Sequence, residues 1–174
     1  IGRIARQEDV VVGTPISVRT HRDVERTIGM LVNTLALRAE PRDEKTFLGF
    51  LEEVREKCLG AYENAGCPFD GLVTAAAAAR DLSRNPLFDV MFVLQEKEIG
   101  SFALGGAALK VAEHPVDTCQ FDLTLEILPD EDGYALHLDY CTDLYREDSL
   151  AHLLTHWQTL LESALCAPDS TLGA

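Results

Sequence analysis

Apolar and polar positions along the chain follow two periods, of two residues and of three to four, and this mixture predicts an α/β fold. Residues 121–127 and 134–140 each alternate apolar with polar side chains, and an acidic turn at 129–133 separates them. This pattern predicts an antiparallel hairpin with one solvated face. Three further strands are predicted from the apolar-rich runs at 10–12, 31–38 and 87–94.

Apolar steps of three and four residues predict three helices, over 44–64, 68–79 and 149–166. Asp43 and Ser149 are the predicted N-caps of the first and third helix. Pro68 suits the first turn of the second helix, and Gly66 is the predicted stop before it. We expect these helices to pack against one mostly central, mixed sheet.

Individual residue types predict where one strand ends, how deeply another is buried and what the amide of Asn33 does. Gly13 and Pro15 should end the first strand after 10–12. The run at 87–94 is nearly continuous in apolar residues, which is typical of a strand buried on both faces. Asn33 lies in otherwise apolar surroundings, so its amide must either tie the structure together or face a ligand.

Charge, hydrophobicity and cysteine content exclude several classes of partner and of protein. The 174 residues carry a formal net charge of −14, which disfavours binding to nucleic acid or to an anionic membrane. No apolar run approaches the roughly 20 residues of a membrane span. The five cysteines are scattered without a C-x-x-C pair, which favours reduced thiols in a cytoplasmic protein.

The residues that could carry catalysis are few. His152 and His156 have the i, i+4 spacing of a metal site, yet no Glu lies between them and no third ligand is evident, so we predict no metal. Ser83, Ser101 and Cys67 lack the sequence context of an activated nucleophile. We therefore predict no catalytic residue in this chain.

The most distinctive polar stretch is the corner at 80–86, which precedes the apolar run at 87–94. Pro86 fixes its own φ and restricts Asn85, so the corner has few conformations available. A rigid polar corner that leads into a central strand is suited to a functional crevice. The alternative is an Arg–Asp pair that ties a loop to the body of the domain.

Four stretches, in order over most of the chain, resemble the condensation domains of nonribosomal peptide synthetases. They are QEDVVVGTP at 7–15, IGMLVNTLALR at 28–38, NAGCPFD at 64–70 and SRNPLF at 83–88 after Arg80-Asp81. The resemblance implies a fold like that of chloramphenicol acetyltransferase, in which two lobes enclose a tunnel. The signature His-His-x-x-x-Asp-Gly of that family belongs to its N-terminal lobe, and this chain has no adjacent His pair.

The resemblance therefore implies that 1–174 is the C-terminal lobe alone. Its expected partners are the N-terminal lobe, the donor and acceptor carrier proteins with their phosphopantetheine arms, and a neighbouring adenylation domain. No cofactor is expected to be bound covalently to this chain. The residues implied to line the channel or reach across to the other lobe are Asn33, Thr34, Arg80, Asp81, Ser83, Arg84, Asn85, Pro86, Thr118, Gln120 and Asp122.

The implied reaction joins a donor acyl or peptidyl thioester to an acceptor aminoacyl thioester by an amide bond. Because one lobe cannot form a tunnel, we expect this chain to be inactive alone and to contribute positioning. Two alternatives stay open: a noncatalytic lobe that docks a carrier protein or another domain, and an unrelated α/β domain.

Overall fold

The chain forms a mixed sheet flanked by helices, in a computed structural model that describes residues 1–76, 84–95, 102–109, 118–130 and 133–173. A single 3₁₀ turn, Arg22–Val24, lies between the first two strands. The elements in chain order are α1 (Gly2–Ala5), β1 (Val10–Ser17), β2 (Val32–Ala39), α2 (Phe47–Glu63), α3 (Phe69–Ala75), β3 (Val90–Leu94), β4 (Phe102–Leu104), β5 (Ala107–Leu109), β6 (Leu123–Asp130), β7 (Gly133–Tyr140) and α4 (Glu147–Cys166).

The main sheet has the strand order β2-β1-β3-β6-β7. Its two outer pairs, β2 with β1 and β6 with β7, are antiparallel, whereas β3 runs parallel to both of its neighbours. β4 and β5 form a separate two-stranded ribbon. The predicted mixed sheet and the predicted hairpin are both confirmed.

β1 does not end where the sequence predicted, because it continues through Gly13 and Pro15 to Ser17. Gly13 serves a close approach instead of a turn: a Cβ placed there would lie 2.1 Å from Cε2 of Phe88. Within the described residues, β1 pairs with β3 at Gly13, opposite Met91, and not at Pro15. The missing N–H of Pro15 therefore interrupts no hydrogen bonds between β1 and β3.

β3 is shorter and more exposed than predicted. It begins at Val90 instead of residue 87, because the Asn85 side chain holds the backbone of Leu87 and Phe88 in a turn. Within the strand only Met91 is buried, and Leu94 is 54% exposed. The prediction that both faces of this strand are buried is therefore wrong for this chain.

The predicted cap of α2 is also wrong. Thr46, not Asp43, caps the helix, and its Oγ1 accepts a hydrogen bond from the Gly49 amide at 3.2 Å. The backbone carbonyl of Asp43 instead accepts from the Gly173 amide at 3.0 Å, because residues 168–173 run beside the start of α2. At its other end α2 stops at Glu63, before the predicted Gly66.

The other two helices also begin at residues other than those predicted, although α4 ends at Cys166 as predicted. α4 begins at Glu147, so Ser149 lies inside it and is not its N-cap; the acidic first turn of Glu147 and Asp148 suits the positive end of the helix dipole. Pro68 is the N-cap of α3 and not part of its first turn. The predicted continuation of this helix over 77–79 lies outside the described residues. Within the described ranges, no helix is both long enough and apolar enough to cross a bilayer.

Candidate functional site

The described part of the 80–86 corner consists of Arg84, Asn85 and Pro86, while Arg80, Asp81 and Ser83 lie outside the described residues. The Arg84 guanidinium forms a bidentate ion pair with the Asp89 carboxylate: Nε donates to Oδ1 at 3.2 Å, and Nη2 donates to Oδ2. Asn85 Oδ1 accepts hydrogen bonds from the amides of Leu87 at 3.1 Å and Phe88 at 3.4 Å. The corner is thus fixed by its own side chains just before β3.

Phe88 anchors this corner to the core. Its side chain is 3% exposed and packs edge-on against Phe69 at a centroid distance of 5.8 Å. On its other side it stacks in a tilted arrangement on Phe121 at 5.4 Å. Together with the close approach of Gly13, these contacts join α3, β1 and the residues before β6 at one point.

The segment at 118–122 meets the corner at the same end of the sheet. Thr118 and Gln120 are exposed, and Asp122 is half-buried. The Leu123 amide donates to the Asp89 carbonyl at 3.3 Å, and the Cys141 amide donates to the Asp122 carbonyl at 3.0 Å. The corner and this segment therefore stand side by side, where parallel strands β3 and β6 begin.

Tyr145 lies near these two groups, since its amide donates to the Cys141 carbonyl at 3.0 Å, although the sequence gave no reason to select it. Burial raises the pKa of Tyr145, and the negative charges of Asp122 and Asp89 raise it further. A tyrosine is already protonated at neutral pH, and the raised pKa keeps this phenol a hydrogen-bond donor in the electrostatic field of the two carboxylates. Asp89 was also missed; the available signal was an acidic side chain inside the otherwise apolar run at 87–94.

Asn33 belongs to a different part of the sheet. Its Nδ2 donates to the carbonyls of Ala65 at 2.8 Å and Cys67 at 2.7 Å, and its Oδ1 accepts from the Thr34 amide at 2.9 Å. Of the two interpretations of this residue, the contacts show a structural tie. Asn33 and Thr34 lie opposite Ile16 and Pro15 at the end of β1, away from the start of β3.

The structure thus brings together Arg84, Asn85 and Pro86 with the 118–122 segment, and it separates Asn33 and Thr34 from them. Among the residues that the structure describes, no three His, Cys, Asp or Glu side chains come close enough to share a metal ion. What this site offers is a rigid corner, a protonated phenol and two carboxylates at one sheet edge.

Known proteins match this chain in sequence and in fold. The model of the condensation domain family matches residues 1–174. Tyrocidine synthase 3 of Brevibacillus parabrevis is 42% identical over 172 residues, which cover 99% of this chain and 3% of that protein. The chain therefore spans only a small part of the relative it matches.

Solved structures match the fold. A four-domain nonribosomal peptide synthetase, holo-AB3403 bound to AMP and glycine, superposes with a TM-score of 0.87 at 22% identity, over 99% of this chain and 14% of that one. The X-domain from teicoplanin biosynthesis, solved in complex with OxyB, superposes with a TM-score of 0.83 at 24% identity, over 98% of this chain and 38% of that one. These matches confirm the acetyltransferase-like fold.

The family model covers the whole chain, and a relative at 42% identity covers 99% of it. The chain belongs to the condensation domain family of nonribosomal peptide synthetases.

Proposed function

We propose that this chain is the C-terminal lobe of a condensation domain and that it helps to form the channel in which two carrier-bound thioesters are joined by an amide bond. The observation that carries this proposal is a family match over residues 1–174 in a sequence without any adjacent His pair. The superposed X-domain extends well beyond this chain, which covers 38% of it, so a second lobe has room in the family fold.

The surface offered to a second lobe is apolar. Ile28 and Met30 are 102% and 92% exposed, and Val32 beside them is 53% exposed. Three large apolar side chains in one short stretch form a patch of the kind that marks an interface. We infer that the N-terminal lobe covers this patch in the intact domain.

Amide formation requires a neutral amine, a positioned thioester carbonyl and stabilisation of the charge that develops in the tetrahedral intermediate. Holding two tethered reactants face to face contributes several kcal/mol by itself. The fixed corner at 84–86 and the 118–122 segment form a rigid part of the channel wall. The catalytic His is expected in the other lobe. This chain alone is therefore inactive.

The partners follow from that arrangement. A donor and an acceptor carrier protein bring their phosphopantetheine arms into the channel from opposite sides, and an adenylation domain stands next to this one in the parent synthetase. The phosphopantetheine arms carry the substrates and are not a cofactor bound by this chain. A cytoplasmic setting, expected from the five free cysteines, stays a prediction.

A second candidate function is a noncatalytic docking lobe. It is favoured by the superposition on an X-domain that was solved in complex with OxyB, because the same fold there binds a protein partner. In that case the apolar patch and the sheet edge would serve recognition only.

A reconstitution assay distinguishes the two. Donor and acceptor carrier proteins are loaded with an acyl and an aminoacyl group, then mixed with this chain alone or with the N-terminal lobe of the same parent. Intact-protein mass spectrometry follows the condensed thioester. Product from both lobes together, and none from this chain alone, is the expected result. Product from this chain alone contradicts the proposal, and no product from two lobes that demonstrably associate favours the docking function.

Within the active pair, Arg84→Ala tests the corner. It removes the two-pronged contact with Asp89, and we expect product formation to fall by about tenfold, since misplacement of a wall residue perturbs reactant alignment. Arg55→Ala is the matched control, because it removes an exposed ion pair with Glu52 on the outer face of α2. Equal losses in the two variants would show that the corner has no special role in positioning.

A further inference from the structure

β7 is the last strand of the main sheet, and in the described part of the chain only β6 pairs with it. The Cys141 amide donates to the Asp122 carbonyl, so every second residue of β7 counted back from Cys141 turns its backbone groups toward β6. The residues between them turn theirs outward, and these are Tyr134, Leu136, Leu138 and Tyr140. An open edge of this length is a template for another strand.

The side chains along this edge extend the core without completing it. Leu136 lies opposite Ile127 of β6, on the face where Ile127 is buried. Leu136 and Leu138, which share that face, are nonetheless only half-buried, and Tyr134 is 68% exposed. A strand added beyond β7 would cover these apolar side chains.

β2 forms the opposite edge of the sheet, and that edge is partly covered. The Val18 amide donates to the Leu31 carbonyl, so the Thr34 amide points away from β1. It donates to Asn33 Oδ1, and the Asn33 amide nitrogen holds the 65–67 loop beside it. Of the two edges, β7 therefore offers the longer open template.

The order of residues in β7 indicates which strand fits. Residues 134–140 read YALHLDY, in which Tyr and Leu recur symmetrically about His137. Two copies that run antiparallel about His137 place Tyr134 opposite Tyr140 and Leu136 opposite Leu138, all on one face. Each of these pairs joins two residues whose backbone groups point outward, so their hydrogen bonds can form.

The other face of β7 is self-complementary as well. In the same register, Ala135 lies opposite Asp139 of the second copy. Each exposed carboxylate thus meets a methyl group and not another carboxylate, which would be destabilising directly across the strands.

We propose that β7 pairs with β7 of a second copy of this chain, antiparallel and centred on His137, so that the two main sheets become continuous. Such an interface is isologous, and each contact occurs twice. It lies at the opposite end of the strand order from β2, which follows the patch at 28–32. The pairing therefore does not depend on whether an N-terminal lobe covers that patch.

Sedimentation velocity of the whole chain, from about 1 µM to about 200 µM, tests this pairing over a range that covers weak association. Salt at about 0.15 M screens the repulsion between distant charges of two chains that each carry a formal net charge of −14. We expect a reversible equilibrium between monomer and dimer. A chain that stays monomeric over the whole range would overturn the proposal.

Substitutions at Ala135 test the register, with circular dichroism to confirm that each variant is folded. Ala135→Glu places a carboxylate opposite Asp139 of the second copy and should raise the dimer Kd by at least about tenfold. Ala135→Lys places the opposite charge there and should lower the Kd. Adding Asp139→Lys to Ala135→Glu should restore the dimer, because opposite charges then meet. Equal Kd values for the Glu and Lys variants, or no restoration, would contradict the register.

Hydrogen exchange followed by NMR tests the backbone pairing. The outward amides of Leu136 and Leu138 should become protected as the chain concentration rises, whereas the amides of Ala135 and His137, which face β6, should not change. Ile28→Ser removes an apolar group from the other exposed patch and should leave the dimer Kd unchanged. A dimer that is lost in Ile28→Ser and kept in Ala135→Glu would place the contact at 28–32 and exclude β7 as the interface.

Discussion

The two halves of the stretch from Ile28 to Arg38 face in different directions. Ile28 and Met30 are fully or almost fully exposed, although they are large and apolar. Asn33 and Leu35, only a few residues later, are engaged inside the lobe, the first by three hydrogen bonds and the second by burial at 4% exposure. One sequence motif thus combines a half that holds the lobe together with a half whose apolar side chains are exposed.

This comparison predicts that replacing a buried side chain by a smaller one lowers the free energy of unfolding more than replacing an exposed one. The largest effect should come from Phe88→Ala, because Phe88 is buried between Phe69, Phe121 and Gly13. Loss of such a ring typically lowers the free energy of unfolding by about 3–5 kcal/mol. Urea unfolding followed by circular dichroism measures the change.

Tyr134→Ala is the matched control for Phe88→Ala, because Tyr134 is an aromatic residue that is 68% exposed on β7. Its unfolding free energy should change by less than about 0.5 kcal/mol. Similar losses in the two variants would show that Phe88 is not the anchor of the corner.

A smaller effect is expected for Asn33→Ala. The change leaves the carbonyls of Ala65 and Cys67 without their donor and should lower the unfolding free energy by about 1–3 kcal/mol. Hydrogen exchange should also show faster opening of the 64–68 loop, since this loop is tied to β2 by Asn33. Asn64→Ala serves as the control, because the Asn64 amide donates only locally to the Gly60 carbonyl at the end of α2. An unchanged stability in Asn33→Ala would contradict the structural role of this amide.

The sequence predicted the elements that depend on local patterns. The alternation in the β6–β7 hairpin and the apolar steps of three and four residues in α2 were sufficient to predict these elements, because a period of two residues indicates a strand and one of 3.6 a helix. The family resemblance of the corner was equally visible, since SRNPLF is a contiguous stretch.

What could not be predicted depends on contacts between distant residues. Gly13 was interpreted as the end of a strand, because nothing in the sequence shows that the Phe88 ring lies against it. Asp43 was chosen as a cap, because the pairing of its backbone with Gly173 is not a local signal. Asp89 likewise comes near Asp122 through the parallel pairing of β3 with β6, and Tyr145 is brought to them by the turn that follows β7.

The outward half of the comparison yields the prediction with the smallest effect on folding. Ile28→Ser and Met30→Ser remove apolar groups that contact little of this lobe, so the unfolding free energy should change by less than about 0.5 kcal/mol. Association with the N-terminal lobe should weaken, because burying a large apolar side chain contributes about 1.5–3 kcal/mol. Each substitution should therefore raise the Kd between the lobes by roughly tenfold or more, measured by isothermal titration calorimetry.

Leu165→Ser is the control for that measurement, because Leu165 is an equally large apolar residue that is 68% exposed in the last turn of α4. It should leave the Kd unchanged if the N-terminal lobe covers the patch at 28–32. A Kd that is insensitive to both Ile28→Ser and Met30→Ser would place the lobe interface elsewhere. The same Kd change in all three variants would indicate nonspecific hydrophobic association, and the difference between the two halves of the motif would then have no functional meaning.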